Sequence, residues 1–253
     1  MRIDLTGRVA LVTGAAGELG RPMARTLGRC GAAVAVHYHR SAAKAAELVD
    51  ELLAGGARAA AFAADITSAE EVARLRAEVA AELGDPHIVV INAVSGVPWK
   101  PVLEQPPEDY ADQFRSCVLQ AVLLAQAFAP AMVARGGGRI IAINTECAMT
   151  CRPGESAYAA AKRGLDGIVR VLARELGPHQ ITVNQVAPGW MISDRHRTTG
   201  TERQPEYEAS VPLGRRGEDQ EIANAVAFLA SDLAGFITGA YLPVCGGRVM
   251  VGI

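Results

Sequence analysis

The feature that most constrains the fold of this chain is a regular alternation of short apolar runs with longer helical stretches. Several of the runs are continuously apolar, as in Ile88–Ile91, which is typical of parallel strands with helices covering both faces. Strands and helices that alternate in this way are joined by right-handed crossovers and build a doubly wound sheet. We therefore predict an α/β fold with one Rossmann-like parallel sheet of about seven strands and helices on both faces.

The pattern predicts seven strands and six long helices. The predicted strands are Val9–Val12, Ala33–Val36, Arg58–Ala63, Ile88–Ile91, Arg139–Ile143, Ile181–Val186 and Phe236–Pro243. The predicted helices are Leu19–Cys30, Ala42–Leu53, Ala69–Leu83, Glu108–Val133, Ser156–Leu176 and Asp219–Ala230. No repeat or low-complexity linker interrupts the series, so residues 1–253 are predicted to form a single domain. Residues 190–217 are polar and without period, and we predict a loop on the substrate side, because ligands bind where strands end.

Composition and charge exclude several classes of protein. Half of the 253 residues are hydrophobic and 21% are charged, which is a globular composition. The net charge of −2 provides no basic surplus to neutralise phosphates, so we expect no nucleic-acid partner. The five cysteines are irregularly spaced and include no CxxC pair, so no metal site is expected and a reducing compartment is indicated. Charged residues near the start of the chain argue against a signal peptide, and the expected location is the cytoplasm.

The longest uncharged run extends from residue 116 to residue 134 and is long enough to cross a membrane. Gln120, Gln126 and Pro130 interrupt it, so we interpret it as a helix buried in the core or in a subunit contact rather than a membrane span. The tail Val249–Ile253 is also apolar. Because both segments are unfavourable in water, we predict a homo-oligomer, most simply a tetramer.

Three glycines lie between the first predicted strand and the first predicted helix, at positions 14, 17 and 20. Glycine lets the backbone turn tightly and approach a ligand closely. The helix that begins near Leu19 presents free N–H groups and the positive end of its dipole to a pyrophosphate. In this position the pattern predicts a dinucleotide site, and the alternative is an ordinary loop between a strand and a helix.

The end of the second predicted strand indicates which dinucleotide is bound. No acidic residue closes this strand, whereas Arg40 follows it, with Ser41 beside it and Lys44 one turn on. A guanidinium suits a 2′-phosphate through paired, charge-assisted hydrogen bonds, so we predict a preference for NADP(H), with NAD(H) possible. The alternative is that Arg40 is only a solvated loop cation. His37 and His39, near the same strand end, are expected at the surface, as is the charge run Arg215–Arg216.

A tyrosine and a lysine share one face of a predicted helix. Tyr158 and Lys162 are separated by four positions, which is one helical turn. A phenol with a pKa of about 10 is a poor acid at neutral pH, and a nearby ammonium is expected to lower that pKa. Such a pair alone is weak evidence, because pairs at this spacing are common on helices. Its value comes from following the glycine turn and a strand that ends in Asn144-Thr145.

Together these motifs resemble the short-chain dehydrogenase/reductase family, and within it the 3-oxoacyl-carrier-protein reductases, over nearly the whole chain. The resemblance rests on residues 13–20, Asp65, Asn92-Ala93, Tyr158 with Lys162, Asn184, Pro188-Gly189 and the closing segment 236–247. It implies hydride transfer between a nicotinamide and a carbonyl carbon. An enoyl reductase is disfavoured, because that branch spaces its tyrosine and lysine more widely.

The resemblance also implies a role for individual residues. Tyr158 would protonate the carbonyl oxygen, Lys162 would tune Tyr158 and hold the nicotinamide ribose, and Thr145 would orient the substrate. Asp65 and Ile66 would meet the adenine, and the backbone at Gly189 and Met191 would meet the nicotinamide amide. The full set of expected cofactor contacts is Gly14, Gly17, Glu18, Leu19, Gly20, Arg40, Ser41, Asp65, Ile66, Asn92, Ala93, Tyr158, Lys162, Pro188, Gly189 and Met191.

The chain departs from the family pattern at several supporting positions. Glu18 stands where the middle glycine of the turn is expected, and its carboxylate would repel a pyrophosphate unless it points to solvent. Cys117 aligns with the asparagine that bends the central helix and anchors a relay water. A thiol is a poor substitute for an amide. We therefore include Cys117 among the candidate catalytic residues as a position where the family residue is replaced, and we expect Cys117→Asn to raise kcat. Val94 and Cys245 also replace family residues.

Two functions remain at this point. The intact Tyr158, Lys162 and Thr145 favour an NADPH-dependent carbonyl reductase acting on a ketone, possibly a small or carrier-bound one such as a 3-oxoacyl thioester. Cys117 and Glu18 favour the alternative, a catalytically weak relative kept as a binding or partner subunit. The sequence does not name the substrate, although three aromatic residues are candidates for a wall of the pocket or for local packing: Trp99, Trp190 and Tyr207.

Overall fold

A computed structural model describes residues 3–251 and places one seven-stranded parallel sheet at the centre of the molecule. The strands are β1 (Val9–Val12), β2 (Ala33–Tyr38), β3 (Ala59–Ala63), β4 (Ile88–Ile91), β5 (Gly138–Ile143), β6 (Ile181–Pro188) and β7 (Tyr241–Val244). Their order across the sheet is β3-β2-β1-β4-β5-β6-β7. Because the winding direction reverses between β1 and β4, a crevice opens at the carboxyl ends of these two strands.

Helices connect the strands and cover the sheet. They are α1 (Gly20–Arg29), α2 (Ala42–Ala54), α3 (Ala69–Glu82), α4 (Pro107–Phe114), α5 (Gln120–Arg135), α6 (Cys147–Thr150), α7 (Ser156–Leu176), α8 (Asp194–Thr199), α9 (Pro205–Ala209) and α10 (Asp219–Ala230). Short 3₁₀ turns occur at Val102–Glu104, Gly177–His179 and Asp232–Ala234.

The core consists of two apolar layers, one on each face of the sheet. Side chains alternate along β1, so that Ala10 and Val12 face one layer, whereas Val9 and Leu11 face the other. Residues from α1, α2 and α10 belong to the first layer, and residues from α3, α5 and α7 belong to the second. Both faces of the strand are therefore apolar because helices cover both, and the predicted fold class is confirmed.

The observed bounds agree closely with the prediction for most elements. The helices Ser156–Leu176 and Asp219–Ala230 match it at both ends. The last strand is the main difference in the sheet. Phe236 is fully exposed and Gly239 adopts a positive φ of 73°, so the strand begins only at Tyr241. The residues before it form a turn, whose apolar composition resembles that of a strand.

The predicted helix Glu108–Val133 is divided by a π-helical segment at Arg115–Leu119, which separates α4 from α5. Cys117 lies within this segment. A π segment widens one turn of the helix and often marks a functional site. The π segment therefore lies at the position where the family resemblance places its asparagine, with Cys117 in that position here.

Helix 107–135 is long and apolar enough to cross a membrane by length and composition alone, but half of its most apolar window is buried inside the protein. Leu124, Phe128 and Met132 of α5 are almost fully buried in the second core layer. This burial agrees with the interpretation of the uncharged run as a core helix. The tail from Val249 to Ile253 is described only as far as Val251, and its last two residues lie outside the described part of the chain.

Segment 190–217 is not the aperiodic loop that we predicted, because it contains α8 and α9. Its organising residue is Arg216, which is 2% exposed. The guanidinium donates hydrogen bonds to four backbone carbonyls of this segment, those of Trp190, Met191, Thr201 and Glu202. The prediction that Arg216 lies on a solvated face was wrong, since five fixed donors let a guanidinium satisfy carbonyls that a loop leaves unpaired.

Candidate active site

A cleft of about 1000 Å³ opens along the carboxyl ends of strands β1 to β6. Its wall extends from Arg40 and Ser41, after β2, to Tyr158 and Lys162 on α7. The residues predicted for the site that line this cleft are Gly14, Gly17, Glu18, Leu19, Arg40, Ser41, Asp65, Ile66, Asn92, Ala93, Thr145, Tyr158, Lys162, Pro188 and Gly189. Residues from six separate loops therefore meet at one edge of the sheet, as the parallel topology requires.

In the turn at the end of β1, the glycine positions leave little or no space for a Cβ atom. Gly14 has a φ of +60°, and a Cβ atom on Gly20 would lie 2.2 Å from the Gly14 carbonyl oxygen. Gly20 is therefore required for packing of α1 against the turn, and it lies behind the cleft wall rather than in it. Glu18 is exposed, and its carboxylate accepts a hydrogen bond from the backbone N–H of Arg195 in α8 over 3.3 Å. Because Glu18 also lines the cleft, its expected conflict with a bound anion is not removed by this hydrogen bond.

His37 lies beneath the glycine turn and is 1% exposed, so the prediction of a surface position was wrong. Its Nδ1 accepts the backbone N–H of Gly14 over 3.0 Å, and its Nε2 donates to the Ala64 carbonyl over 3.0 Å. Burial lowers the pKa of this imidazole to about 4, so the ring is neutral at physiological pH. The strand continues two residues further than predicted, to Tyr38, and this extension places His37 inside the sheet. His39 is exposed, as expected.

Thr13 and Asn92 join the ends of β1 and β4 at the point where the winding direction reverses. The Thr13 hydroxyl donates to the Val90 carbonyl and accepts the backbone N–H groups of Asn92 and Ala93. The Asn92 side chain donates to the Thr13 carbonyl over 2.9 Å. These bonds fix the two loops that line the middle of the cleft.

At the far end of the cleft, Arg40 and Ser41 are exposed and lie near Asp65. The N–H and hydroxyl of Thr67 donate to Asp65 Oδ1, and these bonds lower the pKa of Asp65, with Arg40 contributing by its charge. This end of the site thus carries a fixed carboxylate and an accessible guanidinium. Such a guanidinium is suited to bind an anionic group.

At the other end, α7 places Tyr158 and Lys162 one turn apart on the cleft wall. The Lys162 ammonium is buried, donates to the Ile143 carbonyl over 2.7 Å and lies 5.8 Å from the centroid of the Tyr158 ring. Asn144 connects this helix to β5, because its amide donates to the Lys162 carbonyl and its oxygen accepts the N–H of Thr145. The backbone of Thr145 is therefore held relative to α7, and its hydroxyl accepts the backbone N–H of Cys147 over 3.2 Å.

The expected lowering of the Tyr158 pKa is not observed. Burial raises the pKa of Tyr158, and the nearby thiols of Cys117 and Cys147 raise it further, whereas a hydrogen bond with Thr145 acts in the opposite direction. Burial also lowers the pKa of Lys162. The prediction considered only the attraction between ammonium and phenolate, and desolvation exceeds it here. Tyr158 therefore keeps its proton at neutral pH and is in the state required of a general acid.

Cys117 and Met191 are the other predicted residues that do not line the cleft. Cys117 is fully buried against Val118 and Ala161, close enough to Tyr158 and Lys162 to influence both electrostatically. The Met191 side chain is buried in the first core layer, and its carbonyl accepts a hydrogen bond from Arg216.

Sequence reasoning missed several polar side chains of the cleft. Gln113 and Gln120 are each 1% exposed, and the Oε1 atom of each has no hydrogen-bond partner among the described residues. Ser95 and Ser116 bond to one another beside them. The available signal was the polar Gln120 in the otherwise apolar run 116–134, which we interpreted only as an interruption of a membrane-like segment. Trp99 is 57% exposed and packs edge-on against Tyr158, with ring centroids 5.9 Å apart.

These features fit a dinucleotide. The close backbone turn at Gly14 and Gly20, together with the start of α1 beside it, forms a cradle for a pyrophosphate at the wall of the cleft. A Cβ atom on Gly14 would lie 3.1 Å from Ala93 Cα, and one on Gly20 would lie 2.2 Å from the Gly14 carbonyl oxygen, so side chains at these positions would distort the turn. Within residues 3–251, no group of three or more His, Cys, Asp or Glu side chains is arranged to hold a metal ion.

Comparison with known proteins agrees with this geometry. Residues 14–248 match the family model described as enoyl-(acyl carrier protein) reductase. The chain is 39% identical to the 3-oxoacyl-(acyl-carrier-protein) reductase of Pseudomonas aeruginosa, over 98% of this chain and 100% of that protein.

Solved structures show the same fold at high similarity. A 7α-hydroxysteroid dehydrogenase complexed with NADH and 7-oxoglycochenodeoxycholic acid superposes with a TM-score of 0.89 and 34% identity, covering 99% of this chain and 97% of that chain. A blue fluorescent protein from a metagenomic library, in complex with NADPH, superposes with a TM-score of 0.89 and 36% identity, covering 98% and 100%. The chain therefore belongs to the short-chain dehydrogenase/reductase family and is an oxidoreductase acting on CH–OH or C=O groups.

Proposed function

We propose that this protein is an NADPH-dependent carbonyl reductase with Tyr158 as its general acid. The observation that carries the proposal is the convergence of Tyr158, Lys162 and Thr145 on the same cleft as the glycine turn. A carbonyl reductase needs a proton donor, a group that orients the carbonyl oxygen and a dinucleotide cradle within reach of one another. The bound cofactor would supply the hydride to the carbonyl carbon.

The side chains of this protein would supply the proton and the orientation. The Tyr158 hydroxyl donates its proton to the carbonyl oxygen as negative charge develops there, and the Thr145 hydroxyl fixes that oxygen by a hydrogen bond. The positive charge of Lys162 stabilises the phenolate that results. The product is an alcohol, and a proton from solvent restores Tyr158.

The preference for NADP(H) over NAD(H) rests on Arg40 and Ser41. Both are exposed at the end of the cleft beyond β2, and β2 ends without a carboxylate that would bind the ribose 2′-hydroxyl. NADH remains a possible cofactor, because the turn and the ribose contacts are common to both dinucleotides. The proposed cofactor contacts are the cleft-lining residues described above, with Gly20 and Met191 acting from behind the wall.

The substrate class proposed is a ketone that is small or carried on a thioester, such as a 3-oxoacyl group. The relative from Pseudomonas aeruginosa is named for that substrate, and the one-turn spacing of Tyr158 and Lys162 favours a ketone over an enoyl group. The exposed ring of Trp99 beside Tyr158 provides an apolar wall for the chain next to the carbonyl. The alternative, a catalytically weak partner subunit, is motivated by the altered residues at positions 18 and 117.

We further propose that the protein is a cytoplasmic homo-oligomer, most simply a tetramer, and that residues 1–253 form a single domain. An apolar groove of about 670 Å³ lies between α5 and α7 and includes Val122, Val133 and Leu172. Val171 also lines this groove and is 51% exposed. The groove therefore forms an apolar surface that a second copy of the chain would cover. The net charge of −2 argues against a nucleic-acid partner, and we propose no membrane contact.

A substrate screen with a binding control tests the proposal. NADPH fluorescence should increase on binding to the protein and then decay when a ketone substrate is added. The panel contains a 3-oxoacyl thioester, simple ketones, quinones and an enoyl thioester. Binding of NADPH without turnover of any carbonyl compound would favour the partner-subunit alternative, whereas turnover of the enoyl thioester alone would contradict the ketone assignment.

A further inference from the structure

A largely buried ion pair connects Arg248, near the end of the described residues, to Glu146, the residue that follows Thr145. Arg248 Nη1 donates to Glu146 Oε1, and the two side chains are 12% and 3% exposed, respectively. Neither residue lines the cleft and neither takes part in the proposed proton transfer. Because desolvation of a buried ion pair is costly unless further groups bond to it, its other partners indicate what the pair holds in place.

Tyr207 of α9 is the third member of this cluster. Its hydroxyl donates to Glu146 Oε2 over 3.2 Å and accepts the backbone N–H of Trp190 over 2.7 Å. The Arg248 guanidinium lies 4.7 Å from the centroid of the Tyr207 ring, and its Nε donates to Ser210 Oγ over 2.9 Å. The cluster thus bonds α9, the loop after β6 and the loop after β5 to one another.

The cluster contacts both sides of the reacting end of the cleft. On one side, Glu146 follows Thr145 directly, and its backbone N–H donates to the Pro188 carbonyl over 2.9 Å. On the other side, a Cβ atom on Gly189 would lie 2.6 Å from the Tyr207 hydroxyl oxygen. Tyr207 therefore lies directly against the Gly189 backbone, and no side chain fits between them.

We propose that Glu146, Tyr207 and Arg248 form a positioning triad, which fixes the Thr145 hydroxyl relative to the Gly189 backbone and so sets the orientation of the substrate carbonyl. The inference rests on the proposed function, because Thr145 orients a carbonyl only if the protein reduces one. The three residues are positioning residues, since they act through Thr145 and Gly189 and do not line the cleft.

The charges of the triad make this arrangement sensitive to the loss of one member. Burial raises the pKa of Glu146, and the Arg248 guanidinium and the Tyr207 hydroxyl oppose that rise. Without Arg248, the carboxylate would either take up a proton or draw in water, and without Glu146 the guanidinium would be buried without a counter-charge. Replacing both charged groups by neutral ones of similar size is much less disruptive than removing either alone.

A double-mutant cycle tests the triad. Its variants are Glu146→Gln, Arg248→Met and the double variant, in which Gln can still accept the Tyr207 hydroxyl and Met fills the space of the arginine stem. Arg76→Met is the control, because Arg76 pairs with Asp85 far from the triad and both side chains are exposed, at 41% and 38%. The measurements are kcat and KM for the ketone substrate, Kd for NADPH and the melting temperature.

We expect each single variant to lose about ten-fold or more in kcat, because misplacing an orienting group by about 1 Å can cost about a hundred-fold in rate. The Kd for NADPH should change by less than about three-fold, since most of its contacts lie at the glycine turn and Arg40. The double variant should recover to within about three-fold of the wild-type kcat, and Arg76→Met should match the wild type, because an exposed ion pair contributes little. Losses that add in the double variant, or single variants that lower only the melting temperature, would overturn the proposal.

A fluorescence measurement separates this inference from the proposed function. In a Trp99→Phe background the only tryptophan that remains is Trp190, which packs edge-on against Tyr207 at 5.6 Å. Each single variant should increase quenching of Trp190 by acrylamide, and the double variant should restore the original quenching. If the wild type reduces no ketone, the proposed function fails, but the quenching measurements still test whether the three residues of the triad are coupled. Identical quenching in all variants would show that the triad does not hold the loop after β6 that contains Trp190.

Discussion

The burial of His37 should make the stability of this protein fall as the pH is lowered. Both ring nitrogens are engaged, Nδ1 as an acceptor from Gly14 and Nε2 as a donor to Ala64. A second proton on the ring would place an N–H group against the N–H of Gly14. Burial is the main cause that lowers the pKa of His37 from 6.5 to about 4, and the nearby His39 and Asp65 have smaller effects in opposite directions.

The sign and size of the effect follow from proton linkage. As the pH falls below 6.5, the unfolded chain takes up a proton that the folded chain does not accept until about pH 4. The unfolded state is therefore stabilised, and the free energy of unfolding decreases. The difference between 6.5 and about 4 corresponds to about 3 kcal/mol lost by pH 4, of which about 2 kcal/mol is already lost at pH 5. Above pH 6.5 the ring is neutral in both states and the full stability is present.

The assay is urea unfolding followed by circular dichroism at pH 8 and pH 5, with protein concentration held constant because oligomers gain stability with concentration. Burial also lowers the pKa of His87 and His196, so the wild-type loss includes their contributions. The His37 contribution is the difference between the wild type and His37→Gln, and we expect the loss to shrink by about 2 kcal/mol in that variant. His179→Gln is the matched control at an exposed site. A His37→Gln variant that loses as much stability as the wild type would refute the reasoning.

Two further variants test the cofactor and the altered helix position. Arg40→Ala should weaken NADPH binding by about 1.5–3 kcal/mol, the range for a hydrogen bond to a charged group, and leave NADH binding nearly unchanged; equal losses in titrations with both cofactors would mean that Arg40 does not contact the phosphate. Cys117→Asn should destabilise the fold by about 1–3 kcal/mol without raising kcat, because the thiol is fully buried against Val118 and Ala161 and a larger, more polar amide would have to be desolvated there. This revises the expectation of a faster enzyme, and a raised kcat at unchanged melting temperature would restore it.

The parts of the fold that depend on periodicity were predictable from the sequence. In Ile88–Ile91 and in the helix Ser156–Leu176, burial and the period of the side chains follow from the same geometry, so the observed bounds equal the predicted ones. The glycine turn was predictable for a different reason. A Cβ atom on residue 20 would lie 2.2 Å from the Gly14 carbonyl oxygen, so this position must be glycine. A steric requirement of this kind is visible directly as a residue type in the sequence.

The parts that depend on distant partners were not predictable. His37 is buried because its two ring nitrogens find Gly14 and Ala64, and neither partner is visible in a reading of β2 alone. Arg216 is buried because four carbonyls of an irregular segment converge on it. A charged residue of this kind reads as a surface residue until the backbone that surrounds it is known.

The same limit applies to the candidate site. The positions of Tyr158, Lys162 and Thr145 followed from a motif, but the direction of the Tyr158 pKa depends on burial, which a motif does not contain. Glu146 and Arg248 are separated by 102 positions, so their pairing has no local signal.

The most direct test of the central claim is the effect of Tyr158→Phe on turnover and on cofactor binding in the same preparation. The phenol supplies the proton, and the affinity for NADPH comes mainly from the glycine turn and Arg40. We therefore predict that kcat falls by at least about 10²–10⁴, the usual contribution of general acid catalysis, while the Kd for NADPH stays within about three-fold of the wild-type value, since no cofactor anchor at the helix N-terminus is removed. Substantial ketone reduction by the variant would contradict the assignment of Tyr158 as the acid.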